Sequence, residues 1–184
     1  GSEMCIRDSK ELDTGLSAWN LAMGSQELYD WLDAEPQLFH PGDLDYIHSV
    51  ERISKLSNVI SINGGVQLDL MGQENAESTG TRQLSGVGGQ MDFLEGAYRS
   101  KGGKGFICIN SSRVTKDGER KSNILATIPG GSTISAPRTM IQYVATEYGI
   151  ASLSGKTLRE RAEAMASIAH PDFREELMLS LIHI

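Results

Sequence analysis

The chain has 184 residues, enough for one domain with a sizeable core and too few for two domains of ordinary size. Its 39% hydrophobic and 22% charged residues are typical of a globular domain and exclude a disordered or fibrous chain. The formal net charge of −7, without any basic stripe, argues against a nucleic-acid surface. No apolar run is long enough to span a bilayer, so we expect no membrane partner.

Cysteine and histidine usage argues against disulfide and metal frameworks. The two cysteines, Cys5 and Cys108, give neither a disulfide pattern nor metal-ligand spacing. The four histidines are dispersed and form no ligand pair at helical spacing; they are His40, His48, His170 and His183. We therefore expect no metal, interpret the isolated histidines as structural, and expect a reduced cytoplasmic setting.

The two ends of the chain do not continue the pattern beside them. Residues 1–9 read GSEMCIRDS and residues 179–184 read LSLIHI. Both segments resemble the translation of a sequencing adapter, which suggests a reading frame truncated at both ends. The alternative is a cloning scar at Gly1 and Ser2 beside an ordinary terminus. We expect a domain over residues 10–178, incomplete on its N-terminal side, between two non-native ends.

The first half of the chain alternates strand and helix signals. A strand is predicted over residues 16–23 and a helix over residues 26–34, with Ser25 as its cap. Residues 59–62 and 66–70 read as two strands. Asn63-Gly64-Gly65 between them predicts a hairpin turn that needs positive φ.

The second half continues the alternation. The pattern predicts a helix over about residues 90–99 and a helix opened by Gly155-Lys156-Thr157. Strands are predicted over residues 106–109, 122–128 and 141–145, the second returning from a hairpin turn at residues 116–119. Together these elements predict an α/β domain built on an open mixed sheet with flanking helices.

Residues 85–93, SGVGGQMDF, are the most distinctive stretch, with glycine at 86, 88 and 89. A helix that starts directly after a glycine turn presents unpaired N–H groups and the positive end of its dipole. The stretch is therefore an anion or oxyanion site, or it is only a tight connection before the helix. The residues alone leave both readings open.

A polar loop flanked by glycines precedes this stretch, over residues 72–80. It carries Glu74 and Glu77, two carboxylates of the kind that serve in acid/base chemistry. Neither has a visible partner in the sequence, so we interpret both as solvated.

Seven segments follow one another in a specific order: AMGSQELY at 22–29, ISIN at 60–63, DLMGQ at 69–73, residues 85–93, SKGGK at 100–104, TEYG at 146–149, and residues 155–177. In this order they resemble the C-terminal half of the acetyl-CoA hydrolase/transferase family, also called family I CoA-transferases. Within that family the similarity points to the butyryl-CoA:acetate and 4-hydroxybutyrate CoA-transferases. The match covers nearly everything from residue 10 to residue 177.

The resemblance implies transfer of coenzyme A between short-chain carboxylic acids through a glutamyl-CoA thioester. The nucleophilic glutamate of the family lies in a His-Thr-Glu-like context that this sequence does not contain. We therefore assign no catalytic residue here and expect the 184-residue fragment alone to be inactive. The alternatives are an acyl-CoA hydrolase of the same family and a noncatalytic CoA-binding or interaction domain.

The resemblance also implies where substrate binds. Gly88 and Gly89 correspond to the loop that binds CoA and the oxyanion, and Gly65 to a second CoA contact. Gln90 and Lys104 are further candidates. The implied partners are acyl-CoA and a short-chain carboxylate, with coenzyme A entering as substrate and the full-length parent forming a homo-oligomer.

Overall fold

A computed structural model describes residues 10–180 of the chain. Its N-terminal part pairs β1 (Ser17–Trp19) in parallel with β2 (Phe39–Pro41). Helix α1 (Gln26–Ala34) and a 3₁₀ turn (Pro36–Leu38) lie between them. The helix has the predicted bounds, although the Ser25 side chain makes no capping hydrogen bond with a described residue.

Two short helices follow, and each begins at a side-chain cap. Asp43 accepts a hydrogen bond from the Tyr46 N–H at 2.9 Å and so starts α2 (Leu44–Ile47). Ser49 accepts from the Arg52 N–H at 3.3 Å and so starts α3 (Val50–Lys55). These caps satisfy N–H groups that the first turn of a helix leaves unpaired.

The principal sheet has four strands in the order β13-β12-β8-β3. Three of them run parallel and the fourth, β13, runs antiparallel to β12. Helix α4 (Gln90–Arg99) packs on this sheet and leads directly into β8. The strands are β3 (Ile60–Gly64), β8 (Lys104–Cys108), β12 (Tyr143–Thr146) and β13 (Gly149–Ser152).

A second sheet of three strands has the order β11-β4-β5. Two small antiparallel pairs, β6 with β7 and β9 with β10, complete the strand set of residues 10–180. The second pair confirms the hairpin turn predicted at residues 116–119, with Gly118 at φ 83°. The returning strand covers residues 120–122 and not 122–128, because residues 124–125 pair with β4 in the three-stranded sheet. The strands are β4 (Gln67–Asp69), β5 (Glu74–Asn75), β6 (Ser78–Thr79), β7 (Arg82–Gln83), β9 (Ser112–Val114), β10 (Arg120–Ser122) and β11 (Ile124–Leu125).

The predicted hairpin around Asn63-Gly64-Gly65 is wrong. Its two strands, β3 and β4, belong to different sheets, and neither Gly64 nor Gly65 takes a left-handed conformation. The reason is a non-local partner: β3 pairs in parallel with β8, and the chain then crosses to the second sheet. The α/β class with mixed sheets and flanking helices is confirmed, with the sheet divided into several parts.

The core lies between the two sheets and the helices that cover them. Five of its fully buried members lie on β4, α4, β8, β12 and the first C-terminal helix: Leu68, Leu94, Ile107, Val144 and Met165. Inward and outward side chains alternate along β8, as expected for a strand packed on one face.

Two helices close the described chain, α5 (Leu158–Ser167) and α6 (Pro171–Ser180). Thr157 and Glu160 form a reciprocal capping box at the start of α5. Residues 179 and 180 continue α6, whereas residues 1–9 and 181–184, which hold most of the proposed non-native ends, lie outside the described range. Among residues 10–180, no helix combines the length and apolar character that crossing a bilayer needs.

Candidate functional site

Gly65 lies just beyond the carboxyl end of strand β3. Its N–H donates to the carbonyl oxygen of Cys108, at the end of the neighbouring parallel strand β8, with an N···O distance of 3.3 Å. In open α/β sheets, ligands bind at the carboxyl ends of the strands. Gly65 therefore occupies the edge of the sheet at which a ligand is expected.

The glycine-rich loop reaches the same edge. Helix α4 ends beside the amino end of β8, so its N-terminus lies toward the carboxyl ends of the strands. Gly88 adopts φ +59°, a left-handed conformation that favours glycine, and Gly89 is the helix N-cap without a side-chain cap. The first N–H groups of a ten-residue helix are thus directed to this edge without a side-chain acceptor at the cap.

His48 packs directly on Gly89. The imidazole occupies the space that a Cβ at position 89 would need, and its Nδ1 lies 3.5 Å from Oδ2 of Asp92. The ring also meets Phe93 edge-on, with centroids 5.2 Å apart. The sequence offers no spacing that links His48 to Gly89, so this contact is visible only in the fold.

A cavity opens between α2 and the glycine-rich loop. Its volume is about 560 Å³, within the range of small-molecule sites. His48 lies on its wall together with Gly88 and Asp92. The remaining lining residues are Leu44, Asp45, Ser49 and Val87. The cavity gives a ligand access to the Gly88 backbone.

The interpretation of Glu74 and Glu77 as solvated carboxylates is wrong. Glu74 is completely buried and Glu77 is 8% exposed. Glu77 accepts a hydrogen bond from the Ser135 hydroxyl at 2.6 Å. Because Ser135 is far away in the sequence, no local pattern reveals this contact. The pKa of Glu74 is raised to about 8, chiefly because the group is buried; a hydrogen bond from Gln90 lowers the pKa, and the nearby Glu77 adds to the rise.

Glu74 connects the two glycine segments. The Gln90 side-chain amide donates to its Oε2, and its Oε1 lies 2.6 Å from the position of a Cβ built on Gly65. Three of the predicted site positions, Gly65, Gly89 and Gln90, thus belong to one contiguous region, with Gly88 beside it.

Lys104 does not belong to this region. It is the first residue of β8 and pairs with Ile60, the first residue of β3, at the amino edge of the sheet. The five residues of β8 extend roughly 15 Å, which separates Lys104 from the carboxyl edge. Its position at the start of a parallel strand places it at the amino edge, opposite the edge where Gly65 lies.

Glu147 lies at the carboxyl end of the third parallel strand. Both of its oxygens accept hydrogen bonds from Ser111, one from the backbone N–H at 2.9 Å and one from the hydroxyl at 2.6 Å. Burial works to raise the pKa of Glu147, but these bonds outweigh it and hold the pKa below its ordinary value. The side chain is therefore an ionised group fixed at the same edge of the sheet.

No group of three or more histidine, cysteine, aspartate or glutamate side chains in the described range is arranged to hold a metal ion. The polar groups of the site are instead backbone N–H groups, one imidazole and carboxyl groups. Among these groups the backbone N–H groups are the donors that suit an anionic ligand or a developing oxyanion.

The chain is similar to proteins of known activity. Residues 24–181 match the model of the acetyl-CoA hydrolase/transferase C-terminal domain. The chain is 43% identical to the butyryl-CoA:acetate CoA-transferase of Anaerostipes caccae and 45% identical to the 4-hydroxybutyrate coenzyme A transferase of Clostridium kluyveri. Each alignment covers 92% of this chain and 38% of the relative.

A solved structure has the same fold. RipA from Yersinia pestis superposes with a TM-score of 0.84 at 38% identity, over 95% of this chain and 38% of that one. The chain thus spans less than two fifths of the length of these proteins.

Proposed function

Because the chain belongs to the acetyl-CoA hydrolase/transferase family, we propose that residues 10–178 are the C-terminal domain of a CoA-transferase that acts on short-chain acyl-CoA and carboxylate substrates. The observation that carries the proposal is the Gly88–Gly89 turn, which opens a ten-residue helix at the carboxyl edge of the sheet. Gly65 lies at the same edge and supplies a second position at which a ligand can come close to the backbone.

The proposed role of this chain is to bind CoA and stabilise an oxyanion. Tetrahedral intermediates of acyl transfer carry a negative oxygen, and a single backbone donor aimed at it typically contributes about 3–4 kcal/mol. The N–H groups at the start of α4 are such donors. Binding of the CoA body in the adjoining cavity then contributes to the reacting geometry.

The proposed reaction has two displacements. A glutamate carboxylate outside this chain attacks the thioester carbonyl carbon, the C–S bond breaks, and CoA leaves as thiolate from an acyl-glutamyl anhydride. The thiolate then attacks the glutamyl carbonyl, releases the first carboxylate, and leaves a glutamyl-CoA thioester. The second carboxylate takes CoA by the reverse steps. Each tetrahedral intermediate places its oxyanion near the proposed donors.

Exposed apolar surface on the edge strand supports a missing partner domain. The β3 side chains Ile60 and Ile62 are 53% and 69% exposed, and β3 is the edge of the principal sheet. Exposed apolar side chains on an edge strand are usually covered in a complete protein. We propose that the rest of the parent, or a second subunit of a homo-oligomer, covers this edge.

We also place the parent in the cytoplasm. The Cys108 thiol is free and exposed, which suits a reducing compartment.

Hydrolysis is the second candidate, because the family includes acetyl-CoA hydrolases. Water then replaces the acceptor acid, and the proposed oxyanion donors keep their role. The test is thioester loss by the full-length parent with and without acetate. We expect loss that depends on acetate and a hydroxylamine-sensitive enzyme-bound thioester. Equal loss without acetate would indicate hydrolase, and activity of the 184-residue chain alone would refute a nucleophile outside it.

A further inference from the structure

The strongest unexplained feature is the buried carboxyl group of Glu74. The side chain is completely buried, and no described residue gives its Oε1 a hydrogen-bond partner. This oxygen faces Gly65, because a Cβ built there would lie only 2.6 Å from it. Oε2 accepts a hydrogen bond from the Gln90 side-chain amide. One carboxyl group thus touches the residue after β3 and the first residue of α4.

The backbone of Glu74 holds this carboxyl group in place. Its N–H donates to the carbonyl oxygen of Ala136 at 3.0 Å, and its own carbonyl oxygen accepts from the Ser135 N–H at 2.8 Å. Leu68, its partner across the β4–β5 pair, is also fully buried. The side chain therefore extends from a fixed strand toward two connecting segments.

We propose that Glu74 is a positioning residue, which holds Gly65 and the Gly88–Gln90 segment at the separation that acyl-CoA binding requires. The inference rests on the proposed function, in which these two segments bind CoA. It assigns Glu74 no contact with the substrate. The carboxyl group acts by packing against Gly65 and by accepting the hydrogen bond from Gln90.

The surroundings of Glu74 favour the neutral form of its carboxyl group. Burial is the main cause that raises the pKa of Glu74 to about 8, Glu77 contributes to the rise, and the Gln90 bond favours the ionised form without outweighing them. Glu77 is the charged group that acts on it. The Glu74 carboxyl group meets the Gln90 amide on the side of α4, and it lies near the apolar Ile107 and Ile109 on the side of β8.

Ionisation is therefore expected to disturb the arrangement. A buried carboxylate beside Glu77 gains by moving toward water, and such movement releases both Gln90 and the face of Gly65. Glu74→Gln is the matched variant, since glutamine has nearly the same volume, keeps an acceptor for Gln90 and cannot ionise.

The first measurement is acetyl-CoA binding to the 184-residue chain and to Glu74→Gln by calorimetry between about pH 6.5 and about pH 9. Acetyl-CoA has no free thiol, so its own thiol titration does not interfere. We expect equal affinities at the lowest pH, and an affinity of the unchanged chain about tenfold lower than that of the variant at the highest, following its neutral fraction. Equal affinities throughout would overturn the inference.

The second measurement separates this inference from the proposed function. Methyl NMR signals of Ile109, next to Gly65, and of Val87, next to Gly88, are followed over the same pH range. We expect both to shift with one midpoint near the pKa of Glu74 in the unchanged chain and neither in Glu74→Gln. If no acetyl-CoA binds, the proposed function fails, and these signals alone decide: a shared midpoint supports the positioning role, and its absence overturns it.

Discussion

The imidazole of His48 fills the space beside Gly89 that any larger residue would need. A Cβ at position 89 would meet three atoms of the ring, and the ring is held from other sides by Asp92 and Phe93. Glycine at position 89 is thus required by a neighbour 41 residues earlier in the chain. This contact links helix α2, through His48 at its end, to the start of α4.

Gly89→Ala is expected to displace His48 and the loop. Overpacking of this kind costs about 1–3 kcal/mol. We expect a matching loss of stability in chemical denaturation and weaker acetyl-CoA binding. His48→Ala removes the obstructing ring, so the double variant should recover most of the loss that Gly89→Ala adds. Additive effects of the two substitutions would show that the contact does not constrain position 89.

Glu74→Gln is expected to change how stability depends on pH. The pKa of Glu74 is raised from 4.5 to about 8 in the folded state, so folding binds a proton between these values. Stability contributed by the protonated group is complete below about pH 4.5 and is lost as pH rises toward 8.

The glutamine variant lacks this loss. Its stability relative to the unchanged chain should therefore increase from about pH 5 to about pH 8, by at most about 5 kcal/mol. Urea denaturation at several pH values measures the difference. A difference that stays constant over this range would mean that Glu74 titrates alike in the folded and unfolded chain.

Arg161→Met is expected to be strongly destabilising. The Arg161 guanidinium is buried and donates to the carbonyl oxygens of Met71, Leu153 and Arg138 at 2.7–2.8 Å. Methionine leaves these three acceptors without their donor, at a cost of about 3–5 kcal/mol. Arg159→Met is the matched control on the same helix, because Arg159 is exposed and makes an i,i+4 ion pair with Glu163. It should change stability by less than about 0.5 kcal/mol, and similar losses in both variants would contradict the account.

Thr157→Ala tests the helix cap. The Thr157 hydroxyl accepts from the Glu160 N–H, and the Glu160 carboxylate accepts from the Thr157 N–H at 2.8 Å. Removing such a cap costs about 1 kcal/mol. Ser25→Ala is the control, since the Ser25 side chain makes no capping bond with a described residue. Thermal unfolding should separate the two variants, and an equal effect would show that the capping box adds nothing.

Local signals predict helices α1, α4 and α5 well, but not the short helices α2 and α3. The α1 bounds follow from polar residues around an apolar stripe and from Pro36, which begins the next turn. Thr157 and Glu160 carry the capping signal for α5 in four consecutive residues. Such elements are specified by neighbours in sequence.

The sheet and the site depend on contacts that no local pattern records. Strand β3 pairs with β8 more than forty residues later, so the turn residues at Gly64 do not form the hairpin that their local pattern predicts. Burial of Glu77 depends on Ser135, and the constraint on Gly89 depends on His48. The family resemblance points to the glycines as site residues, but the contacts around them follow from the fold.

Calorimetry with acetyl-CoA on Gly88→Val tests most directly whether Gly88 belongs to a CoA-binding turn. Gly118→Val is the matched control, because both glycines have positive φ and open space around a Cβ, and Gly118 lies in the β9–β10 hairpin away from the site. We predict that Gly88→Val loses at least about tenfold in affinity, a difference of about 1.4 kcal/mol, while Gly118→Val binds as the unchanged chain does. Equal binding by both variants would contradict the claim and leave the loop as a turn only.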